Sequence, residues 1–213
     1  MRVIAIDGPA GSGKSTVARA VAARLHLDYL DTGAMYRAVT FAAMRRGIDL
    51  DDAEAVAHLA REIDLHVGEK VIVDGVDATI EIRTPEVTRA VSVAAANPGV
   101  RKELVSRQRE WAEAHHGGVV EGRDIGTVVF PGAEVKVYLT AADDERASRR
   151  SKELLDMHYD QVAADIARRD HVDSTRSASP LAIADDAIRL DTTGKDIGEV
   201  VDAVLALVAQ IAS

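Results

Sequence analysis

The chain has 213 residues, enough for one well-cored domain with an insertion but not for two full catalytic domains. A formal charge of -9 argues against general nucleic-acid or acidic-membrane binding, and the lack of cysteine excludes disulfides, thiolate metal sites and a cysteine nucleophile. Apolar residues make up 47% but aromatics only 3%, so the core has to be built from Val, Leu, Ile and Ala.

The first element is a short apolar run, Val3 to Ile6, of the kind that makes a buried strand. It starts so early that no room is left for a signal peptide, and no apolar run approaches membrane-spanning length, so a soluble cytoplasmic protein is expected. Next comes Gly8-Pro9-Ala10-Gly11-Ser12-Gly13-Lys14-Ser15, followed by Thr16, which fits G-x-x-x-x-G-K-[ST]. Residues 16–25 then show helical spacing of Val17, Val21 and Leu25, completing strand, glycine loop and helix. The glycines let successive backbone N–H groups turn inward on an anion at a helix N-terminus. Lys14 is expected to reach the β- and γ-phosphates of a nucleotide and the Ser15 hydroxyl to ligate Mg²⁺.

A second strand at about 28–31 leads into Asp31-Thr-Gly-Ala-Met-Tyr-Arg37 and a helix through Ala43, with Thr32 as its candidate cap. This is either an ordinary strand-to-helix turn or a second phosphate site with Arg37 as donor. Residues 63–82 alternate as short strands with turns at Gly68 and Gly75, which predicts a small antiparallel insert. Helices at roughly 84–95 and 98–115 follow, split by Asn97-Pro98 and closed by Gly117-Gly118.

Strands at 119–121, 135–139 and 187–190 complete five parallel candidates separated by helices, an α/β layer architecture. Arg123 and Asp124 lie just past the third of these, where α/β sheets bind ligands. Asp124 reads either as a carboxylate partner of Mg²⁺ or as a reader of substrate, and spacing does not separate the two. A helix over 141–155 carries Arg146, Arg149 and Arg150; a second over 165–176 puts Arg169, Asp173 and Arg176 on one face. Beside a phosphate loop, these read as an arginine-bearing lid. The last helix, 196–212, has one apolar stripe of Ile197, Val200, Val201, Val204, Leu205, Val208 and Ile211. No H-E-x-x-H or catalytic triad pattern occurs. A GTPase switch is disfavoured, because the D-x-x-G found, Asp191 to Gly194, follows the last strand and no N-K-x-D is present.

The motifs resemble those of bacterial-type cytidylate kinases, in the nucleoside monophosphate kinase group, over essentially the whole chain. Shared are Ile6-Asp-Gly-Pro-Ala-Gly-Ser-Gly-Lys-Ser-Thr16, Leu30-Asp-Thr-Gly-Ala-Met-Tyr-Arg37 and Glu81-Ile-Arg-Thr-Pro-Glu-Val87. More specific are Glu121-Gly-Arg-Asp-Ile-Gly-Thr-Val-Val-Phe-Pro131 and Arg169-Asp-His-Val-Asp-Ser-Thr-Arg176. The resemblance implies ATP-dependent phosphorylation of CMP and dCMP in pyrimidine nucleotide metabolism, with Mg²⁺ accompanying ATP. The alternative is a kinase of the same fold acting on another nucleoside monophosphate such as UMP.

By the same resemblance, Thr32, Tyr36 and Arg37 face the monophosphate, and Ser92, Arg101 and Asp124 read the cytosine edge. Asp173 meets the ribose. Arg123, Arg169 and Arg176 bind phosphate together with the lid residues Arg146 and Arg150, the latter on the ATP side. Lys14, Arg123, Arg146 and Arg169 form the expected catalytic set, and the adenine pocket is expected near Asp191-Thr-Thr-Gly-Lys195. The implied division is a P-loop core (1–31, 117–145, 178–213), a monophosphate-binding domain (32–116) containing the insert, and a lid (146–177). A monomer is expected.

Overall fold

The structure, a computed structural model, describes residues 1–153, 158–176 and 178–211. Five strands, β1 (Arg2–Asp7), β2 (Tyr29–Asp31), β6 (Gly117–Gly122), β7 (Val135–Thr140) and β8 (Ile188–Asp191), form one sheet in the order β2-β6-β1-β7-β8. Every neighbouring pair is parallel, and Ile4 sits between Val119 of β6 and Val135 of β7. The reason is visible in β1. A strand covered on both faces needs apolar side chains in both directions, and Val3 and Ala5 enter one buried cluster while Ile4 and Ile6 enter another.

The first cluster is closed by α2 (Thr32–Arg45), α3 (Ala53–Glu62), α4 (Pro85–Ala96) and α5 (Pro98–Ala114); the second by α1 (Lys14–Leu25) and α8 (Ile197–Ile211). Side chains such as Ile4, Ile6 and Leu104 are wholly buried, each worth roughly 1.5–3 kcal/mol against exposure. The predicted insert is present as β3 (Leu65–Val67), β4 (Val71–Val73) and β5 (Val76–Asp77), paired antiparallel. Asp74 and Gly75 both take positive φ in the tight turn that joins its last two strands. The insert packs on Ala38, Ala42 and Leu59 of the flanking helices.

Several sequence expectations are corrected. Asp31, not Thr32, caps α2, its carboxylate accepting from Ala34 N at 2.9 Å, and Thr32 is already helical. The sequence reading assigns no helix to α3, whose buried face consists of Val56, Ala57, Leu59 and Ala60 and is half alanine. Gly117 and Gly118 open β6 rather than close a helix. The stripe on α8 is buried at Val200, Val201, Val204 and Val208, while Ile197 and Ile211 at its ends are exposed.

Two helices follow β7: α6 (Asp143–Glu153) and α7 (Tyr159–Thr175), the second starting earlier than its sequence pattern indicates. Arg176 is the first residue past α7. Leu154 and Leu155 of the expected arginine helix, positions 154–157 and 177 of the expected lid, and Ala212 and Ser213 lie outside the described residues. No helix among the described residues is long and apolar enough to cross a membrane.

Candidate active site

The carboxyl ends of β1, β2 and β6 converge, and the loops that leave them enclose a cleft of about 210 Å³. On the β1 side the phosphate-loop sequence turns at Gly8, φ 149°, where any Cβ would stand 2.2 Å from the carbonyl oxygen of Leu139 in β7. Only glycine lets the loop pass so close to the neighbouring strand. Lys14 opens α1 and is buried, with Nζ donating to the Pro9 carbonyl at 2.7 Å. Burial, then the neighbouring Arg123, pulls its ammonium from the usual 10.5 to about 7.

Ser15 donates through Oγ to Oε2 of Glu121 at 2.9 Å, and the Tyr29 hydroxyl donates to the other carboxylate oxygen. Glu121 ends the apolar part of β6 and is 3% exposed; burial, then the nearby Asp31, raises its pKa. Glu121 lies within a recognised motif but carries no role assigned from sequence. Its signal was a carboxylate at the carboxyl end of a buried strand.

The opposite wall comes from α2, α4, α5, the segment after β6, and α7. Thr32 donates to the Glu121 carbonyl at 2.6 Å, and Arg37 donates to Thr88 Oγ1 at 2.7 Å. Burial, then Arg169, lowers the pKa of Arg37, and burial, then Arg123, lowers that of Arg169. These cations are crowded against each other, which makes the cleft demand an anion. Arg83, which the sequence reading passed over, lines the same wall and pairs with Asp31 at 3.1 Å.

Deeper in, Arg101 donates through Nη2 to Oδ2 of Asp124, while Arg176 stands 3.6 Å from Oδ1. The Arg101 guanidinium also lies over the Tyr36 ring, 5.5 Å from its centroid. Asp124 has a raised pKa because burial outweighs its two arginines. One turn of π-helix, Ile125–Val129, follows it, anchored by Asp7, whose carboxylate accepts from Ile125 N and Gly126 N at 2.9 and 2.8 Å. Asp7 is another residue without a role in the sequence reading; burial pushes its carboxyl up to about 6. Asp173 accepts from Arg123 Nε at 2.8 Å and sits 3.8 Å from Arg176.

Ser92, Arg150 and Arg169 also line this cleft, so Lys14, Ser15, Thr32, Tyr36, Arg37, Ser92, Arg101, Arg123, Asp124, Arg150, Arg169, Asp173 and Arg176 are brought together. Among the described residues its walls carry eight basic side chains against four carboxylates, in a chain of net charge -9. Gly8, Pro9, Ser12 and Arg146 stand outside the lining. Arg146 instead donates to the Ala10 carbonyl at 2.9 Å and to Asp143 at 2.6 Å, and pairs with Asp170. The 191–195 loop is held beside α6, with Arg149 donating to the Thr192 carbonyl at 2.7 Å and Gly194 N donating to Glu145 at 3.1 Å.

Chemically this is a two-sided anion receptor. A glycine loop with a buried lysine and a hydroxyl–carboxylate pair faces an arginine-lined pocket ending in a buried carboxylate. The oxygen pair of Ser15 and Glu121 suits a hard divalent cation such as Mg²⁺, which keeps much of its shell as water and phosphate oxygens.

Comparison with known proteins agrees with this geometry. A protein-family model described as "Cytidylate kinase" matches residues 4–210. The cytidylate kinase of Desulforamulus reducens is 53% identical over 215 residues, covering 97% of this chain and 96% of that protein. That of Bacillus subtilis is 49% identical over 217 residues, covering 97% and 96%. That of Rhodococcus jostii is 48% identical, covering 98% and 95%. A solved structure of an uncharacterized Eubacterium ventriosum protein superposes with TM-score 0.54 at 10% identity, covering 98% of this chain and 99% of that one, which extends the likeness to the fold alone.

Proposed function

The chain belongs to the cytidylate kinase family, and from that premise we propose that it transfers the γ-phosphoryl group of ATP to CMP, and also to dCMP, giving ADP and the diphosphate. The observation that carries the reading is the buried Arg101–Asp124 pair in the same cleft as the Lys14 loop. Cytosine presents an exocyclic amine, a donor that a carboxylate accepts, whereas uracil presents a carbonyl there. Asp124 keeps lone pairs beyond those its arginines use. Ser92 and Arg101 complete the base side and Asp173 the sugar side.

In the transfer, a phosphate oxygen of CMP attacks the γ-phosphorus as the bond to the bridging oxygen of ADP breaks. The nucleophile is already an anion, so no general base is demanded. Lys14, Arg123 and Arg169 stabilise charge on the moving group, and Arg37, Arg83 and Arg176 hold the acceptor phosphate; such transfer rests on positioning and charge. Residues 8–16 and Arg150 bind the ATP phosphates, with Arg146 acting through its hold on Ala10. Mg²⁺ accompanying ATP would supply charge neutralisation on the phosphates. Ser15 and Glu121 would hold it on the protein side, the Ser15 hydroxyl being directed by its hydrogen bond to Glu121.

Residues 32–116 serve as the acceptor-binding part and 146–177 as the lid over a P-loop core. In this reading the chain acts as a monomer, and the use of ATP and CMP supports a cytoplasmic setting. Measuring ADP release with CMP, dCMP, UMP and AMP in parallel tests the reading. CMP is expected to have the highest kcat/KM; faster turnover of UMP or AMP overturns it.

A further inference from the structure

Asp170 lies in the arginine-rich segment between Arg169 and Asp173, yet it does not line the cleft. Its carboxylate points to the phosphate loop. Oδ1 accepts from Ala10 N at 3.0 Å, and Oδ2 pairs with Arg146, whose Nη1 returns to the Ala10 carbonyl at 2.9 Å. Both polar groups of one loop residue are thus held by a single, partly buried ion pair. The apolar part of the contact is equally specific. Ala10 is 6% exposed and forms a small cluster with Ala147 of α6 and Val162 and Ile166 of α7, separate from the cores of the sheet. Gly11, φ 74°, has no room for a Cβ, which would lie 2.8 Å from the Arg146 carbonyl.

A second link joins the same partners. Arg123 donates through Nη1 to the Gly8 carbonyl at 3.0 Å and through Nε to Asp173 at 2.8 Å. Helix α7 is therefore tied to the donor loop at Asp170 and, three residues on, at Asp173. The same helix presents Arg169 and Asp173 to the acceptor pocket, with Arg176 at its end. Arg37, Arg123 and Arg169 meet as like charges at this junction, so an anion bound on one side relieves repulsion felt on the other.

We propose that Asp170 is a positioning residue: by clasping Ala10 together with Arg146, it hangs the acceptor-binding helix α7 from the donor loop, so that each nucleotide strengthens binding of the other. This deepens the phosphotransfer reading and rests on it. Linkage makes the effect reciprocal, and couplings of this kind are typically about 5- to 150-fold.

The test is calorimetric titration of CMP into the full-length protein, with and without a saturating non-hydrolysable ATP analogue and Mg²⁺. In the wild type the analogue is expected to tighten CMP binding by about 10-fold. In Asp170→Ala the factor falls to about 2 or less; Asp170→Asn, which keeps an acceptor for Ala10 N–H but not the ion pair, lies between. Thermal melts confirm that both variants fold, and the milder Asn variant carries the test if Ala does not. An equal coupling factor in wild type and Asp170→Asn or Asp170→Ala overturns the proposal. So does a wild type that binds both nucleotides independently, which leaves the phosphotransfer reading standing. A wild type that binds neither nucleotide overturns both.

Discussion

Arg101 and Asp124, 23 residues apart, form an ion pair in which each residue is only 4% exposed. Such a pair is weak evidence for stability, since desolvation opposes it, but deleting one partner strands a buried charge at a cost of roughly 3–5 kcal/mol. Asp124→Asn also removes that charge, but it keeps the side chain's size and an acceptor oxygen for Arg101, so it is a milder probe than alanine. The amide offers a donor as well as an acceptor, so it tolerates the uracil carbonyl. The CMP over UMP ratio of kcat/KM is expected to fall by about 10- to 100-fold, the scale of 1–3 kcal/mol per base-edge contact. An unchanged ratio would remove Asp124 from base reading.

Lys14→Ala removes a cation poised beside the γ-phosphoryl site. Loss of a preorganised transition-state donor costs about 10² or more in kcat. Steady-state turnover close to wild type would contradict the role given to Lys14.

The depressed pKa of Lys14 has a proton signature. Held at about 7 by burial, the free ammonium is mostly neutral at pH 8, and triphosphate oxygens beside it restore the charge. ATP binding at pH 8 is expected to take up close to one proton, and at pH 5.5 almost none. Calorimetry in buffers of different ionisation enthalpy measures this directly; proton release at pH 8 would refute it. The sign for folding follows from the same shift. Between about pH 7 and 10 the unfolded chain binds more protons at this site than the folded one, so the contribution of Lys14 to stability rises with pH across that window.

Glu121→Gln keeps the size of the side chain and removes its charge. The Mg²⁺ concentration needed for half-maximal binding of an ATP analogue is expected to rise about 10-fold, with CMP affinity within about 2-fold of wild type, reflecting one lost charge-assisted contact near 1.5 kcal/mol. A titration curve that superposes on the wild type would exclude Glu121 from the metal side of the site.

All five expected runs are strands of the sheet; the inner three, β1, β6 and β7, were legible because strands buried on both faces are largely apolar, whereas the edge strands β2 and β8 are short and more exposed. The antiparallel insert was legible from alternation and its Asp74-Gly75 turn. Helix α3 was missed although its pattern is present: Val56, Leu59 and Ala60 stand at helical spacing against Glu54, His58, Arg61 and Glu62, in a run of only ten residues. The early start of α7 was hidden by Tyr159, Asp160 and Gln161, which the helix exposes.

What the sequence by itself determined is local chemistry: a glycine loop next to a strand and a helix supplies backbone donors, a lysine and a hydroxyl within eight consecutive residues. What only the tertiary structure decided is which distant group meets each of them. Glu121 reaches Ser15 across 106 positions because β6 lies beside β1, and Asp170 reaches Ala10 across 160 because α7 packs over the loop. Spacing along the chain carries no trace of such pairs. They arise from strand order and helix docking, which depend on burial summed over the whole molecule rather than on any local run of residues.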